Sequence, residues 1–240
     1  MKRFLPLLFL LSACIQVKYE NPEIPPYNVW LILNNPVDTQ YLYFDRIYSP
    51  EEGAASYGIP GARAWVWNAQ DTFYFTFGIR RDTLRYYYSP FTPSVGDTYH
   101  LTLIAPDSLD TLTATTVVPG DFSIVQPEDG DTVEVGDDAP LIVWTSSDGA
   151  IIYKVKAYNL AYGFTAFFPY VSADTTSDFL RYGTYFPVSG FYDIYIIAYN
   201  RDMYDYAMSG DLVINIDGAV GVFGAVVERK VRLFVRVPSR

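Results

Sequence analysis

The sequence predicts an all-β protein of two sandwich domains, and three observations carry that prediction. Apolar and polar residues alternate with a period of two in short segments from Asn28 to Val237, which is the repeat of a strand with one buried face. Half of the residues are hydrophobic, with 22 Tyr and 16 Phe against only 3 Met, and aromatic and β-branched side chains suit a pleated, half-buried surface. Sixteen Gly and sixteen Pro are spread along the chain as turn punctuation between short strands. No amphipathic stretch with the 3.6-residue period runs beyond about two turns.

Taken in order, Asn28 to Leu33 (NVWLIL) and Gln40 to Ile47 (QYLYFDRI) read as the first two strands, because Asn34-Asn35-Pro36 between them is a turn signal. Residues 49–59 form a loop rich in Gly, Ala and Glu. Pro60 to Trp67 leads into alternation, and Asp71 to Gly78 (DTFYFTFG) continues it as one segment. Arg85 to Tyr88, Thr98 to Ile104 (TYHLTLI) and Leu112 to Val118 (LTATTVV) complete six or seven strands at hairpin spacing, as in a sandwich or partly closed barrel. Pro119-Gly120-Asp121 is the expected domain boundary. Beyond it come Phe122 to Val125, a turn at residues 126–131, Thr132 to Val135, and Leu141 to Thr145 with an inward Trp144. A Ser/Asp/Gly turn then leads to an alternating strand with Tyr153, Val155 and Ala157. Later, Tyr192, Ile194, Ile196 and Ala198 share one face of a strand at residues 190–200, and Leu212 to Ile216, Gly218 to Val227 and Val231 to Val237 follow.

At the N-terminus, Lys2 and Arg3 precede a short apolar run from Phe4 to Leu11 that Ser12, Ala13 and Cys14 close. This is the order of a secretory signal, and the run is far below the ~20 residues of a spanning helix. Leu11-Ser12-Ala13-Cys14 resembles a bacterial lipobox, which implies that Cys14 carries lipid and becomes the mature N-terminus. Cys14 is the only cysteine, so no intramolecular disulfide is expected. Ile15 rather than Asp follows it, and resemblance to lipoprotein sorting in some bacteria then implies the outer membrane. Three prolines within residues 22–26 favour an extended, semi-rigid tether. The expected organisation is therefore a signal peptide at 1–13, a tether at 14–27, a first β-sandwich at 28–119 and a second at 120–240.

The Trp144 strand and the Tyr192-to-Ala198 strand together resemble a fibronectin type III or related immunoglobulin-like domain over about residues 120 to 200. That resemblance implies a Trp packed under a later strand and no activity; for the first domain an immunoglobulin-like or transthyretin-like sandwich is expected. The phrase Asn215-Ile216-Asp217-Gly218-Ala219-Val220-Gly221-Val222-Phe223-Gly224-Ala225 resembles the C-terminal signature of a family of bacterial surface lipoproteins of unknown function. The family pairs a lipobox with a Gly-Ala-x-Ala/Val strand, matched here by Gly61 to Val66. Its association with outer-membrane uptake systems implies an outer-membrane protein as partner.

The chemistry-bearing residues are sparse. Without Lys2 and Arg3 the balance is 15 basic against 27 acidic residues, which argues against nucleic acid and against electrostatic adhesion to anionic lipid. His100 is the only histidine, so neither a multi-histidine metal site nor a second candidate base for a serine triad exists. Phosphate-loop and dinucleotide glycine patterns are missing, and no cofactor is expected. Glu128-Asp129-Gly130-Asp131, with Glu134, Asp137 and Asp138 close behind, departs from the calcium-loop spacing and reads as a solvated turn. Three aromatic clusters stand out: Tyr86-Tyr87-Tyr88; Phe164, Phe167, Phe168 and Tyr170; and Tyr199, Tyr204 and Tyr206 beside Met203. Consecutive strand positions face opposite ways, so the first cluster must put Tyr on both faces. Most of these rings are expected in the core, with Tyr86, Tyr87, Tyr88, Tyr204 and Tyr206 the candidates for a recognition surface. The functional expectation is a non-enzymatic, lipid-anchored envelope lipoprotein acting as an interaction or accessory module. The alternative is a glycan- or small-ligand-binding surface lipoprotein.

Overall fold

Two short sheets lie against the same side of one long sheet. A computed structural model describes residues 26–47, 58–80, 84–106, 111–208 and 215–238. The leader, Cys14 and the tether up to residue 25 lie outside the described residues, as do 49–57 of the expected loop and 212–214 of an expected strand. The side chains of Phe167, Phe168 and Tyr170 also lie outside them.

The first hairpin joins β1 (Tyr27–Asn35) to β2 (Gln40–Arg46). Its turn is held by one side chain: Gln40, 1 % exposed, accepts a hydrogen bond from the Asn34 amide at 2.8 Å and donates to the Val37 carbonyl at 2.8 Å. Next come β3 (Arg63–Trp67), β4 (Thr72–Tyr74), β5 (Thr76–Arg80), β6 (Leu84–Ser89), β7 (Thr98–Ile104) and β8 (Thr111–Val117). The segment 71–78, expected as one alternating run, divides at Phe75 between two sheets: β4 pairs with β3, and β5 pairs with β6. Phe75 is buried at this corner, and its amide donates to the Ala64 carbonyl at 2.9 Å. Phe73, Phe75 and Phe77 keep a period of two through the switch because the inner faces of both sheets meet there.

The rest of the chain supplies β9 (Ile124–Gln126), β10 (Thr132–Glu134), β11 (Ile142–Trp144), β12 (Ile152–Asn159), β13 (Thr165–Ser172), β14 (Thr176–Ser177), β15 (Gly190–Tyr199), the helix α1 (Arg201–Met208), β16 (Ile216–Asp217) and β17 (Val220–Arg236). The two strands expected at 218–227 and 231–237 are one, since Glu228, Arg229 and Lys230 pair with β15 without a break. The long sheet runs β13-β12-β15-β17-β1-β2-β6-β5, with β10 also on β17. A five-stranded sheet, β16-β8-β7-β3-β4, faces one half of it, and a three-stranded sheet, β14-β11-β9, faces the other. The molecule is thus an all-β sandwich protein. The second half has the immunoglobulin-like arrangement, three strands opposed to four with β10 running parallel to the last. Trp144 is buried in it, with its ring 5.3 Å from that of Tyr153.

The boundary expected at residues 119–120 falls between β8 and β9, and later parts of the chain cross back over it. β16 pairs with β8, and the first half of β17 pairs in parallel with β1 from Asn28↔Val220 to Asn35↔Val227. The pairing depends on Gly221, which sits at φ +115 opposite Val29; a Cβ there would overlap the Val29 carbonyl oxygen. Gly221→Ala is therefore expected to lower the unfolding free energy by about 3 kcal/mol or more. Urea denaturation checks this, and a wild-type midpoint would show that the two strands relax around the added methyl.

Candidate functional site

The long sheet has one covered face and one open face; the open face is charged along β12, β15 and the second half of β17 but carries a group of rings on β1, β2 and β6. On β1 and β2, Val29, Leu31, Leu33, Leu42 and Phe44 point inward while Trp30, Ile32, Tyr41 and Tyr43 point outward. Tyr87 of β6 is buried, and its hydroxyl donates to the Ile59 carbonyl at 2.7 Å and accepts from the Ala62 amide at 2.9 Å. Burial raises the Tyr87 pKa, so the phenol stays a donor. Its neighbours Tyr86 and Tyr88 face the other way and join the outward row. The ring centroids of Trp30 and Tyr43 are 5.5 Å apart, those of Tyr41 and Tyr86 5.4 Å, and those of Tyr86 and Tyr88 6.0 Å. Gly78 opposite Tyr86 makes room for this band, because a Cβ there would approach both the Tyr86 and the Tyr88 ring at 3.2 Å.

Helix α1 lies on the same face and forms a wall beside the band. It starts at Asn200, whose side-chain oxygen accepts from the Met203 amide at 3.0 Å as an N-cap and from the Ala225 amide at 3.3 Å. Met203 then packs directly on Gly224, where a Cβ would come within 2.6 Å of its Cγ, and forms a small apolar cluster with Ile197, Val222 and Val226. Between α1 and the ring band runs a groove of about 330 Å³ whose lining includes Trp30, Ile32, Tyr41, Tyr43, Ile197 and Tyr199. Lys156 and Glu228, paired at 2.8 Å, also line it. Burial, with the Glu228 charge adding to it, raises the Tyr199 pKa and keeps its hydroxyl protonated. One polar atom is left over: Asn34 Oδ1 is buried without a donor among the described residues, and Asn34 lines the groove.

The sequence-named tyrosines separate. Tyr86 and Tyr88 extend the band, and Tyr87 is a core residue because strand alternation turns it inward. Tyr204 is half-buried on α1 with the Arg201 guanidinium 5.6 Å from its ring centre, and Tyr206 is exposed; neither lines the groove. Of the rings that do line it, Tyr199 belongs to the third cluster named from the sequence, and Trp30, Tyr41 and Tyr43 were readable from period two: NVWLIL and QYLYFDRI put aromatics at the outward positions as well as apolar residues at the inward ones. His100 faces outward from the five-stranded sheet, stacked on Trp67 at 4.2 Å with Nδ1 2.9 Å from the Thr115 hydroxyl. In the acidic turn, Asp131 accepts from the Glu128 amide and Asp129 from the Arg232 amide, each at 2.8 Å. Among the described residues, no three His, Cys, Asp or Glu side chains are grouped for a metal ion.

A buried polar cluster fixes α1. Asp202 accepts from the Thr116 hydroxyl of β8 at 2.7 Å and from the Asn200 amide group at 3.1 Å. Burial holds its carboxyl above the ordinary value of 3.8, against the pull of those two hydrogen bonds and with the Asp205 charge adding to the rise. The folded protein therefore binds this proton more tightly than the unfolded chain does, so the group's cost to stability appears as the pH rises through its folded pKa. Asp202→Asn removes that titration. The stability of the variant minus that of the wild type is expected to increase as the pH is raised above 3.8, then to level off once the wild-type carboxyl is ionised. Chemical denaturation over a pH series measures it, and a difference independent of pH would mean an unshifted carboxyl.

No family model matches the chain, and no curated protein matches it. Among solved structures, it is similar to the titin domains Z1Z2 in complex with telethonin, at 14% identity and a TM-score of 0.21, covering 91% of this chain and 100% of that one. A chimeric titin Z1Z2 functionalized with a KLER exogenous peptide from decorin gives 11% identity and a TM-score of 0.22, with 90% and 99% coverage. The assignment of the fold rests on the strand order and not on these overlays.

Proposed function

We propose that this chain is a non-enzymatic binding module, lipid-anchored in the cell envelope through Cys14, that docks an envelope protein against the aromatic band and groove of its long sheet. The observation that carries the reading is the pair of neighbouring ring groups that face outward, Trp30 with Tyr43 and Tyr41 with Tyr86 and Tyr88, on a face where an antiparallel sheet ordinarily meets solvent with polar residues. Contiguous exposed apolar surface of this kind marks interaction sites, and Trp and Tyr are the residues that dominate protein interfaces. The groove beside the rings has an aliphatic lining of Ile32, Ile197, Val226 and Met203, which suits apolar side chains of a partner better than a hydroxyl-covered sugar. The Lys156–Glu228 pair satisfies itself. The anchor rests on the sequence alone: a charged start, a short apolar run and a cysteine after small residues. Two acyl-type signals at one cysteine hold a protein on a bilayer stably, and Ile15 after it favours the outer membrane.

A photo-crosslinking amino acid in place of Tyr41, in the full chain in its native cells, is expected to capture one dominant envelope protein. Trp30→Ala is expected to weaken that complex by about 2 kcal/mol, roughly thirtyfold in Kd. Adducts to lipid alone, or capture that persists undiminished in Trp30→Ala, would remove the docking reading. Cys14→Ser is expected to move the protein from the membrane fraction to the soluble one with an unchanged thermal midpoint, and a variant that still pellets with membranes would defeat the anchor.

A further inference from the structure

The outer face of the five-stranded sheet has a different chemistry from the docking face. Strand register lays it out as three rows. Arg63 is opposite Ile104 and, beyond it, Thr111; Tyr74, Trp65, Thr102, Thr113 and, at the far end, Asp217 form the second row; Thr72, Trp67, His100 and Thr115 form the third. The inward partners, Ala64, Val66, Leu101, Leu103, Leu112 and Ala114, are buried, so every residue in the rows faces out. Here the aromatics are interleaved mainly with threonine hydroxyls, with Ile104 the aliphatic side chain in the rows. Tyr74 is 70 % exposed and Trp67 39 % exposed, and the Trp65 and Tyr74 rings stand 6.4 Å apart at 42°. Trp67 is already stacked on His100, whereas the half-buried Trp65 and the exposed Tyr74 meet only each other among the rings of the described residues.

Arg63 adds a charge. It lines, with Trp65, Tyr74 and Phe75, a cavity of about 380 Å³ at the corner where β4 leaves the sheet. Its guanidinium has no carboxylate partner among the described residues, although the chain carries a net charge of −10. An unpaired guanidinium beside the exposed Tyr74 ring and the half-buried Trp65, in a chain of net negative charge, is complementary to an anion, and its planar fork of donors matches a carboxylate bidentately.

We infer that this face is a second binding site, for an acidic oligosaccharide: pyranose rings stack on Trp65 and Tyr74, and a uronic-acid carboxylate pairs with Arg63. The C–H bonds of a pyranose face carry slight positive charge and meet the negative π face of an aromatic ring. Its ring hydroxyls exchange hydrogen bonds with Thr102 and Thr113, which stand across the sheet from Trp65. Alternate residues on a strand are about 6.7 Å apart, so Arg63 and Trp65 are separated by roughly one sugar residue and the occupant is an extended oligomer rather than a monosaccharide. The site shares no residue with the docking groove, so either can fail without the other.

The test is titration of the purified full chain with oligogalacturonate and, in parallel, with neutral cello-oligosaccharide of equal length, read by tryptophan fluorescence and by calorimetry. Saturable binding of the acidic oligosaccharide is expected, weakening as salt is raised from 0.05 to about 0.5 M. Arg63→Gln is expected to raise its Kd about tenfold and to abolish the preference over the neutral oligomer, and Trp65→Ala to raise it at least tenfold. Tyr74→Ala, at a largely exposed ring that the fold does not need, gives the same direction should Trp65→Ala fail to fold. Trp30→Ala on the docking face is expected to leave the affinity unchanged. No saturable binding, equal affinity for the neutral oligomer, or unaltered affinity in both Arg63→Gln and Tyr74→Ala would each overturn the assignment.

Discussion

The parallel pairing of β17 with β1 is the constraint on which the other sheets depend. β17 is 17 residues long, about 56 Å at the usual rise and well beyond the common strand length. Its first half closes the sheet begun by β1, β2, β6 and β5, and its second half closes the sheet of β12 and β15. Without it each sandwich would present a bare strand edge, a template for unwanted pairing. Parallel strands need a long crossover between them, and here nearly the whole protein is that crossover. Two close approaches along β17 fall at glycine: Gly221 against the Val29 carbonyl, and Gly224 under Met203.

A shared strand also creates a seam. The core side of β17 carries Val227 and Val231, both buried, and between them, by strand alternation, Arg229. There the five-stranded sheet ends and the three-stranded sheet has not begun, and the chain crosses between them at residues 119–121. Arg229 fills the gap: its guanidinium donates to Asp121 at 2.9 Å and to the Asn35 side chain at 3.0 Å, and lies 5.9 Å from the Phe122 ring centre. The Asp121 carboxylate is largely exposed, so the pair itself contributes little energy; what matters is that a charged group on an inward position finds partners on both β1 and the connection between β8 and β9. The Asn200, Asp202 and Thr116 cluster does the same on the other side of β17, tying α1 to β8.

Much of this fold was legible because each strand obeys one rule, alternation against a single buried face. Thr98 to Ile104 was bounded correctly from its pattern alone, and Trp144 was placed inward from its context. The features that sequence missed are those in which a strand serves two neighbours. Glu228, Arg229 and Lys230 break the apolar pattern and separated the strands expected at 218–227 and 231–237, yet one strand continues through polar residues whose outward members, Glu228 and Lys230, pair with Lys156 and Asp193. The change of sheet at Phe75 leaves no mark, because alternation survives it. The ring band was half legible: the tyrosine triplet called attention to itself by being consecutive, whereas Trp30, Tyr41 and Tyr43 are hidden in ordinary alternation and meet only when β1 and β2 pair.

The two outer faces show why counting exposed aromatics does not identify a ligand. Both carry rings at similar spacings, with Trp30 to Tyr43 and Trp65 to Tyr74 each tilted by 42°. What differs is the company those rings keep. On the long sheet they border Ile32, Val226 and Met203, and the nearby charges neutralise each other. Such a surface gains by excluding water and asks for an apolar partner. On the five-stranded sheet they border threonine hydroxyls and an uncompensated Arg63, so water is displaced only by a ligand that restores its hydrogen bonds and brings a negative charge. Strand alternation decides which rings are outside. The residues two positions away and one strand over decide what those rings can hold.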